Sequence, residues 1–208
     1  CLEDAKPAAL SIELFHNFSL IHDDIEDNDE LRRGRPTVWK LWGVNKAINA
    51  GDAQLVLAFE ALMLMSTQSS TYRPLAQFLM TRYREVIEGQ HLDFTLTDAD
   101  IEDTMVSEQT YLAMLGKKSA SLIGATTATA GYIAERSTAE IQALDRFGHA
   151  FGMAYQLHDD RQSLWAKAAE TGKTECGDIV ERKKTLPILH TRDVLSEAKR
   201  NHFISLYK

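Results

Sequence analysis

Residues 19–36 read SLIHDDIEDNDELRRGRP and place acidic side chains directly before a run of arginines. Asp23 and Asp27 are four residues apart, so on a helix their carboxylates project from one face, with Cβ atoms about 6 Å apart. Two like charges at that distance repel each other unless a cation neutralises them. The spacing therefore predicts a cation site on a helix, with Asp24 beside it.

The arginines extend this prediction to a phosphate-containing ligand. Mg²⁺ takes oxygen ligands and is usually bound by one or two carboxylates together with substrate phosphates. Arg32, Arg33 and Arg35 carry forked donors that match phosphate oxygens. An EF-hand is a poor fit, because counting from Asp23 or Asp24 finds neither the Gly nor the Glu that its loop requires. A solvated charge run at a helix end is the simpler alternative.

A second acidic pair, Asp159-Asp160, interrupts an apolar-periodic segment that reads GMAYQLHDDRQSLWA. It lies far downstream of Asp23, so only folding can bring the two pairs together. Unpaired buried carboxylates are energetically costly, which favours a shared ion cluster in a cavity. Helical bundles build such cavities in their cores.

Helical periodicity dominates the chain, so the expected fold class is all-α, with a single domain over residues 1–208. The predicted helices cover 7–30, 44–66, 72–97, 101–115, 118–134, 138–167 and the chain from 186 onward. Ser137 and Glu140 form a capping-box pattern before the helix that carries the second acidic pair. No hairpin dipeptide stands out. The segment 168–182 fits either a mobile lid over a phosphate site or a plain surface connection.

These residues make the chain resemble the trans-prenyltransferases of the polyprenyl (isoprenyl) diphosphate synthase family over nearly its whole length. The family's first aspartate-rich motif, DDxxD, is intact from Asp23 to Asp27 and continues into its RRGxP motif at 32–36. The other matching landmarks are GD at 51–52, GQxxD at 89–93, Lys-Ser-Ala at 118–120 and KKTLP at 183–187. The resemblance implies a helical bundle whose central cavity is flanked by two aspartate-rich motifs.

The resemblance also implies roles for individual residues. The implied metal ligands are Asp23, Asp24, Asp27, Asp159 and Asp160. The implied substrate-binding residues are His16, Arg32, Arg33, Lys118, Ser119, Gln156, Lys173 and Lys183. Among them, His16 and Arg33 would bind isopentenyl diphosphate, and the allylic diphosphate would be bound by Arg32, Lys118, Lys173 and Lys183. The implied catalytic residues are Asp23, Asp27, Lys118 and Asp159.

The implied reaction condenses isopentenyl diphosphate with an allylic diphosphate, with Mg²⁺ as cofactor, three ions when substrate is bound, and Mn²⁺ as an alternative metal. The expected product is an all-trans C15 to C20 prenyl diphosphate, with geranylgeranyl diphosphate favoured. Phe18 and Ser19 precede the first motif by about one helical turn, and the resemblance makes Phe18 the floor of the tail cavity. The alternatives are a class I terpene cyclase on the same fold and a non-catalytic regulatory subunit. The intact Arg32-Arg33 pair favours chain elongation.

The chain departs from the family pattern in two places. Ser163 stands where the second motif has its last aspartate, which implies weaker metal binding. A Gly-Gly-Lys-x-x-Arg-Pro motif that usually lies upstream is absent. We interpret the sequence as a fragment or trimmed form rather than as an enzyme that holds its second substrate with fewer cations.

The amino-acid composition limits the classes of binding partner and the cellular compartments to be expected. The 23 basic and 30 acidic side chains give a net charge of −7, which disfavours nucleic acid as a partner. Cys1 and Cys176 form neither a disulfide framework nor a zinc pattern, so a reducing cytoplasm is expected. No apolar run reaches the ~18 residues of a transmembrane helix. The resemblance implies a homodimer.

Overall fold

The protein is built almost entirely of helices in the computed structural model, which describes residues 2–65, 70–165 and 176–207. The helices are α1 (Leu2–Glu26), α2 (Val38–Trp42), α3 (Val44–Met63), α4 (Tyr72–Asp98), α5 (Glu108–Leu115), a π-helix (Gly116–Ala120), α6 (Ser121–Ile133), α7 (Thr138–Trp165), α8 (Gly177–Val180), α9 (Leu186–Val194) and α10 (Glu197–Tyr207). The all-α fold class is therefore confirmed. None of the described helices combines the length and the apolarity needed to cross a bilayer.

Contacts divide the chain into two compact units, each described separately below. The first comprises Cys1–Met80 and Thr126–Ala143, and the second comprises Thr81–Ala125 and Leu144–Lys208. The assignment of the whole chain to a single domain stays a prediction.

Helix α1 ends four residues earlier than its periodicity predicts. Asn28 adopts a positive φ of 55°, and its N–H donates to the carbonyl of Ile25 at 3.3 Å, while the N–H of Asp29 donates to the carbonyl of Asp24 at 2.9 Å. These two bonds are those of a Schellman motif with Asn at its left-handed position. The helix therefore stops at Glu26 instead of continuing to residue 30.

A two-stranded hairpin follows α1 and was not predicted. Strand β1 (Leu31–Arg32) pairs antiparallel with β2 (Arg35–Pro36), and the turn residues Arg33 and Gly34 have φ values of 52° and 74°. Positive φ at both central residues is typical of a type I′ hairpin turn. Arginine is an uncommon residue at such a position, so the Gly that follows it was the only local signal.

Three predicted helix boundaries were also wrong. The segment 101–106 forms turns, because Asp100 and Asp103 accept hydrogen bonds from the N–H groups two residues later, and α5 begins after the cap Ser107. The predicted helix at 118–134 starts as a π-helix instead of an α-helix. The helix predicted from residue 186 onward is broken at Leu195, where ψ is 146°.

Helices α1 and α3 pack together in the first unit through a glycine. A Cβ atom on Gly51 would lie 2.3 Å from the ring of His22, so a larger residue here would require that ring to move. The His22 Nε2 atom lies 3.3 Å from the carbonyl oxygen of Ile48 and 3.7 Å from a carboxylate oxygen of Asp52. The GD landmark is therefore a helix-packing contact that fixes the last turns of α1.

The second unit has two apolar clusters that position its polar residues. One cluster contains Leu96, Val106, Tyr111, Met114, Leu115 and Leu189. The other contains Ile101, Leu164, Ile188, Ile204 and Tyr207. In the first unit, the capping box predicted before α7 is confirmed, since Ser137 and Glu140 exchange hydrogen bonds.

Candidate active site

The first group of functional side chains lies where α1 meets the hairpin, and we call Asp23, Asp24, Asp27 and Arg32 the α1 cluster. Arg32 donates from Nε to Oδ1 of Asp24 and from Nη2 to Oδ2 of Asp23 at 3.1 Å. The same guanidinium lies 3.7 Å from the carboxylate of Asp29. Arg32 lies on β1, shortly after Asn28 ends α1, and its guanidinium contacts the acidic end of that helix, so acidic and basic groups share one site.

Asp23 and Asp27 keep the spacing that the sequence predicts for a pair of metal ligands. The N–H of Asp27 donates to the carbonyl of Asp23 at 2.8 Å, so the helical register continues one residue past the end of α1. Both side chains are half-buried, whereas Asp24 is only 4% exposed. Burial raises the pKa of Asp24, and the hydrogen bond from Arg32 acts in the opposite direction. Asp24 is therefore the internal partner of Arg32 in this arrangement.

His16 and Phe18 lie on the turns of α1 before this cluster. Burial lowers the pKa of His16; Glu13 opposes this effect and the charges of Arg33 and Arg32 add to it. His16 is therefore neutral near pH 7, and Arg33 is close enough to influence it. The ring of Phe18 is buried, 5.4 Å from the ring of Phe15 and 4.8 Å from that of His22. The Ser19 hydroxyl donates to the carbonyl of His16 at 2.8 Å.

The two carboxylates of the second motif have different surroundings. Asp159 is half-buried, while Asp160 is 4% exposed and uses both of its oxygens. Tyr111 Oη donates to Oδ2 of Asp160, and Gln156 Nε2 donates to Oδ1 at 3.3 Å. Burial raises the pKa of Asp160, and these two hydrogen bonds oppose that effect. Asp160, a predicted metal ligand, is thus engaged with protein donors, and Asp159 is the more accessible of the two.

Lys118 and Ser119 extend this second group, and we call Asp93, Tyr111, Lys118, Ser119, Gln156 and Asp160 the α7 cluster. Lys118 Nζ donates to Oδ2 of Asp93 at 2.6 Å, and Ser119 Oγ donates to Oε1 of Gln156 at 3.1 Å. Both residues lie in the π-helix, a distortion that is frequent at functional sites. Its backbone is approached closely by two glycines, Gly89 of α4 and Gly152 of α7. The landmarks GQxxD and Lys-Ser-Ala are therefore in direct contact.

Ser163, which replaces the last aspartate of the second motif, donates a hydrogen bond to Asp178. Asp178 is 8% exposed and follows the start of α8. Lys183, a predicted phosphate ligand, donates its backbone N–H to the carbonyl of Asp178 at 2.8 Å and places Nζ 3.0 Å from Glu181. Lys173, the other predicted phosphate ligand of this region, lies outside the described residues. The serine thus contacts a carboxylate from another part of the chain.

Because the carboxyl group of Asp178 is buried, we expect the free energy of unfolding to depend on pH. Its pKa is raised to about 6, mainly by burial, with the charge of Asp160 adding, whereas the value in an unfolded chain is about 3.9. Between pH 4 and 6 the folded state binds more protons than the unfolded state, so the free energy of unfolding falls as the pH rises through this window. Asp178→Asn should raise the free energy of unfolding by about 2 kcal/mol at pH 7.5 and by much less at pH 4.5.

Denaturant unfolding of the metal-free protein at both pH values measures this effect. Ser163→Ala is the control that removes the hydrogen bond but keeps the buried carboxyl, so it should retain the pH dependence. A stabilisation by Asp178→Asn that is equal at pH 4.5 and 7.5 would contradict the raised pKa of Asp178.

The donor set fits Mg²⁺ if the substrate supplies further oxygens. No group of three or more His, Cys, Asp or Glu side chains in the described part of the chain is arranged to hold a metal ion alone. Two carboxylates in helical register are nevertheless the usual protein contribution to Mg²⁺, with phosphates and water completing the octahedron. The nearby Arg32 complements the same phosphates.

Sequence reasoning missed Tyr111 and Asp178 as parts of the site. Tyr111 belongs to an apolar cluster, and its hydroxyl reaches Asp160, 49 residues away in the chain. No local pattern indicates that contact. The pair Gly177-Asp178 stands out only as turn composition.

Comparison with known proteins adds an independent line of evidence. The polyprenyl synthetase family model matches residues 1–208. The chain is 38% identical over 195 residues to the geranylgeranyl diphosphate synthase of Mycobacterium tuberculosis, covering 94% of this chain and 54% of that protein. It is 40% identical over 187 residues to the (2E,6E)-farnesyl diphosphate synthase of Mycobacterium bovis, covering 90% and 50%.

A solved structure is also similar. The crystal structure of geranylgeranyl pyrophosphate synthetase from Pyrococcus horikoshii Ot3 matches with a TM-score of 0.89 and 35% identity, covering 97% of this chain and 61% of that chain. The chain thus spans about half to three-fifths of the length of these proteins.

Proposed function

The chain belongs to the polyprenyl synthetase family, and from that premise we propose that it contributes the catalytic site of a trans-prenyltransferase. The reaction would join isopentenyl diphosphate to an allylic diphosphate and give a C15 to C20 prenyl diphosphate, with geranylgeranyl diphosphate favoured. The α1 cluster is the observation that carries this proposal. It combines two carboxylates spaced four residues apart, as metal ligands on a helix would be, with an arginine. The Nη2 atom of Arg32 lies 3.1 Å from Oδ2 of Asp23.

Asp23 and Asp27 would hold Mg²⁺ together with the allylic diphosphate, and Asp159 would hold a further ion. Three ions and the use of Mn²⁺ are parts of the same proposal. When bound, the metal neutralises negative charge on the departing diphosphate.

Arg32 would exchange partners when the diphosphate arrives. In the described arrangement it neutralises Asp23 and Asp24. With Mg²⁺ held by Asp23, Arg32 would be needed less for neutralising that carboxylate, and its guanidinium would donate to phosphate oxygens. As the resemblance implies, Lys118, Lys173 and Lys183 would also bind the allylic diphosphate, and Ser119 and Gln156 would bind substrate.

His16 and Arg33 would bind isopentenyl diphosphate. The lowered pKa of His16 keeps its imidazole neutral, so it donates one hydrogen bond to phosphate without adding a second full charge beside Arg33. Arg33 is exposed at the turn of the hairpin, whereas Arg32 pairs with Asp23 and Asp24. Its position suits a ligand that arrives from solvent.

The chemistry would then require no protein nucleophile. The allylic C–O bond would break, and its electron pair would leave with the diphosphate, whose negative charge Arg32 and the lysines would stabilise. The double bond of isopentenyl diphosphate attacks C1 of the resulting cation, which forms the new C–C bond. A proton is then lost to the released pyrophosphate, which restores a double bond.

Incubation of the full-length protein with isopentenyl diphosphate and each of dimethylallyl, geranyl and farnesyl diphosphate tests the proposal. We expect Mg²⁺-dependent products that end at C15 or C20 in mass spectrometry. Cyclised hydrocarbon formed without isopentenyl diphosphate would instead identify a terpene cyclase. Metal-dependent diphosphate binding without turnover would identify a regulatory subunit.

Substitution of Phe18 tests the expected chain length of the product. Its buried ring packs against Phe15 and His22 on the helix that leads into the first motif. Phe18→Ala removes most of this ring and should shift the main product by one or two isoprene units toward longer chains, as measured by mass spectrometry. Phe15→Ala is the matched control, since Phe15 is fully buried. An unchanged product from Phe18→Ala would remove Phe18 as the floor of the cavity.

The homodimer and the cytoplasmic location implied by the resemblance belong to the proposal as well. Light scattering of the full-length protein measures the first, and cell fractionation measures the second. A monomer that retains full activity would contradict the dimer.

A further inference from the structure

The α7 cluster contains a chain of hydrogen bonds whose Tyr111–Asp160 contact is buried, and Tyr111 has no part in the proposed reaction. Tyr111 donates to Oδ2 of Asp160, Gln156 donates to Oδ1, and Ser119 donates to Gln156. We call these four residues the Tyr111 relay. It links α5, α7 and the π-helix that carries Lys118.

The central contact of the relay, between Tyr111 and Asp160, is shielded from solvent. Tyr111 is 5% exposed and Asp160 is 4% exposed, so water does not compete for either group. A buried carboxylate needs a donor at each oxygen, and Asp160 obtains them only while its side chain faces Tyr111 and Gln156. Rotation of Asp160 toward solvent would leave the Tyr111 hydroxyl buried without its acceptor. The low local dielectric strengthens both hydrogen bonds.

The direction of Asp160 determines the direction of Asp159. Successive side chains on an α-helix are separated by about 100° around its axis, so when Asp160 points into the interior, Asp159 points away from it. Asp159 is accordingly half-buried rather than buried. At its other end the relay holds Ser119, the neighbour of Lys118. The relay therefore connects a predicted metal ligand with a predicted phosphate ligand.

We propose that Tyr111 is a positioning residue which, through Asp160 and Gln156, fixes the orientation of Asp159 relative to the segment that carries Lys118 and Ser119. This inference rests on the proposed function. Tyr111 touches neither reacting group, and it acts by holding the end of α7 in one orientation. This role of Tyr111 resembles that of residues that hydrogen-bond to metal ligands and hold them in place. Loss of such residues typically lowers metal affinity or activity by about 10- to 100-fold.

Tyr111→Phe tests the proposal because it removes one oxygen and keeps the ring in its apolar cluster. We expect kcat to fall at least about tenfold and the Mg²⁺ concentration for half-maximal rate to rise about tenfold, while KM for the allylic diphosphate changes less than about twofold. A second readout needs no turnover. The thermal shift produced by Mg²⁺ with inorganic pyrophosphate should be smaller in Tyr111→Phe than in the unmodified protein.

Tyr83→Phe is the matched control, since Tyr83 is another buried tyrosine of the second unit and is not part of the relay. It should leave the Mg²⁺ dependence unchanged even if it lowers the melting temperature. A Tyr111→Phe protein that melts earlier but responds to Mg²⁺ normally would overturn the proposal, because its role would then be structural only.

Ser119→Ala supplies the coupling test. If the relay acts as a unit, the double variant Tyr111→Phe/Ser119→Ala loses about as much Mg²⁺ response as the more affected single variant. If the losses of Mg²⁺ response in the two single variants multiply in the double variant, the four residues do not act as a unit and the proposal is overturned. If the unmodified protein converts no pair of substrates, the proposed function fails, whereas the thermal shift with pyrophosphate still decides the role of Tyr111.

Discussion

Asp23→Asn should lower kcat by about a thousandfold with little change in melting temperature. The substitution keeps the shape of the side chain but removes the charge that would bind Mg²⁺ next to the departing diphosphate. A metal ion at such a position contributes several kcal/mol of transition-state stabilisation, and about 4 kcal/mol corresponds to a thousandfold change in rate. Steady-state kinetics over a range of Mg²⁺ concentrations measures the effect, and excess Mg²⁺ should restore only part of the rate.

Asp29→Asn is the matched control for this experiment. Asp29 also lies near Arg32, at 3.7 Å, but it is exposed and does not share the face of Asp23 and Asp27. Its substitution should change kcat less than about threefold, in line with the small contribution of exposed ion pairs. If both variants lose activity equally, the loss reflects a displaced Arg32 rather than a lost metal ligand.

Gly89→Ala should destabilise the protein and lower its activity together. A Cβ atom at residue 89 would lie 2.2 Å from the backbone nitrogen of Lys118 and 2.6 Å from its Cα. Backbone atoms cannot rotate away as a side chain would, so α4 and the π-helix must separate. Overpacking of this kind costs about 3 kcal/mol, which corresponds to a melting temperature lower by roughly 6–12 °C for a chain of this length.

The same displacement moves Lys118 away from Asp93, which it contacts at 2.6 Å, so we expect at least about a tenfold loss of kcat/KM. Calorimetry and steady-state kinetics measure the two effects. Gly116→Ala is the control, because the nearest atom to its added Cβ is 3.4 Å away on the side chain of His149. A Gly89→Ala protein with normal stability would show that α4 and the π-helix are not in close contact.

Local sequence patterns were sufficient for most helices and for the first acidic motif. The 3.6-residue period placed α3, α4 and α7 within a few residues of their observed ends, and the four-residue spacing placed Asp23 and Asp27 in one register. The errors occurred where a few side chains or backbone angles override that period. Asn28 ends α1, Asp100 and Asp103 replace a helical turn, and Arg33 with Gly34 forms the turn of the hairpin.

The contacts around the second motif were decided by the tertiary structure. Tyr111 and Asp160, Gly89 and Lys118, and Ser163 and Asp178 are each far apart in sequence, and their own neighbours carry no sign of the pairing. Helical period and ligand spacing arise from interactions within one or two turns, so the sequence by itself determined the helices and the pair Asp23 and Asp27. The partner of a buried polar group is set by packing and by the cost of leaving that group unsatisfied, and both depend on which distant segments meet.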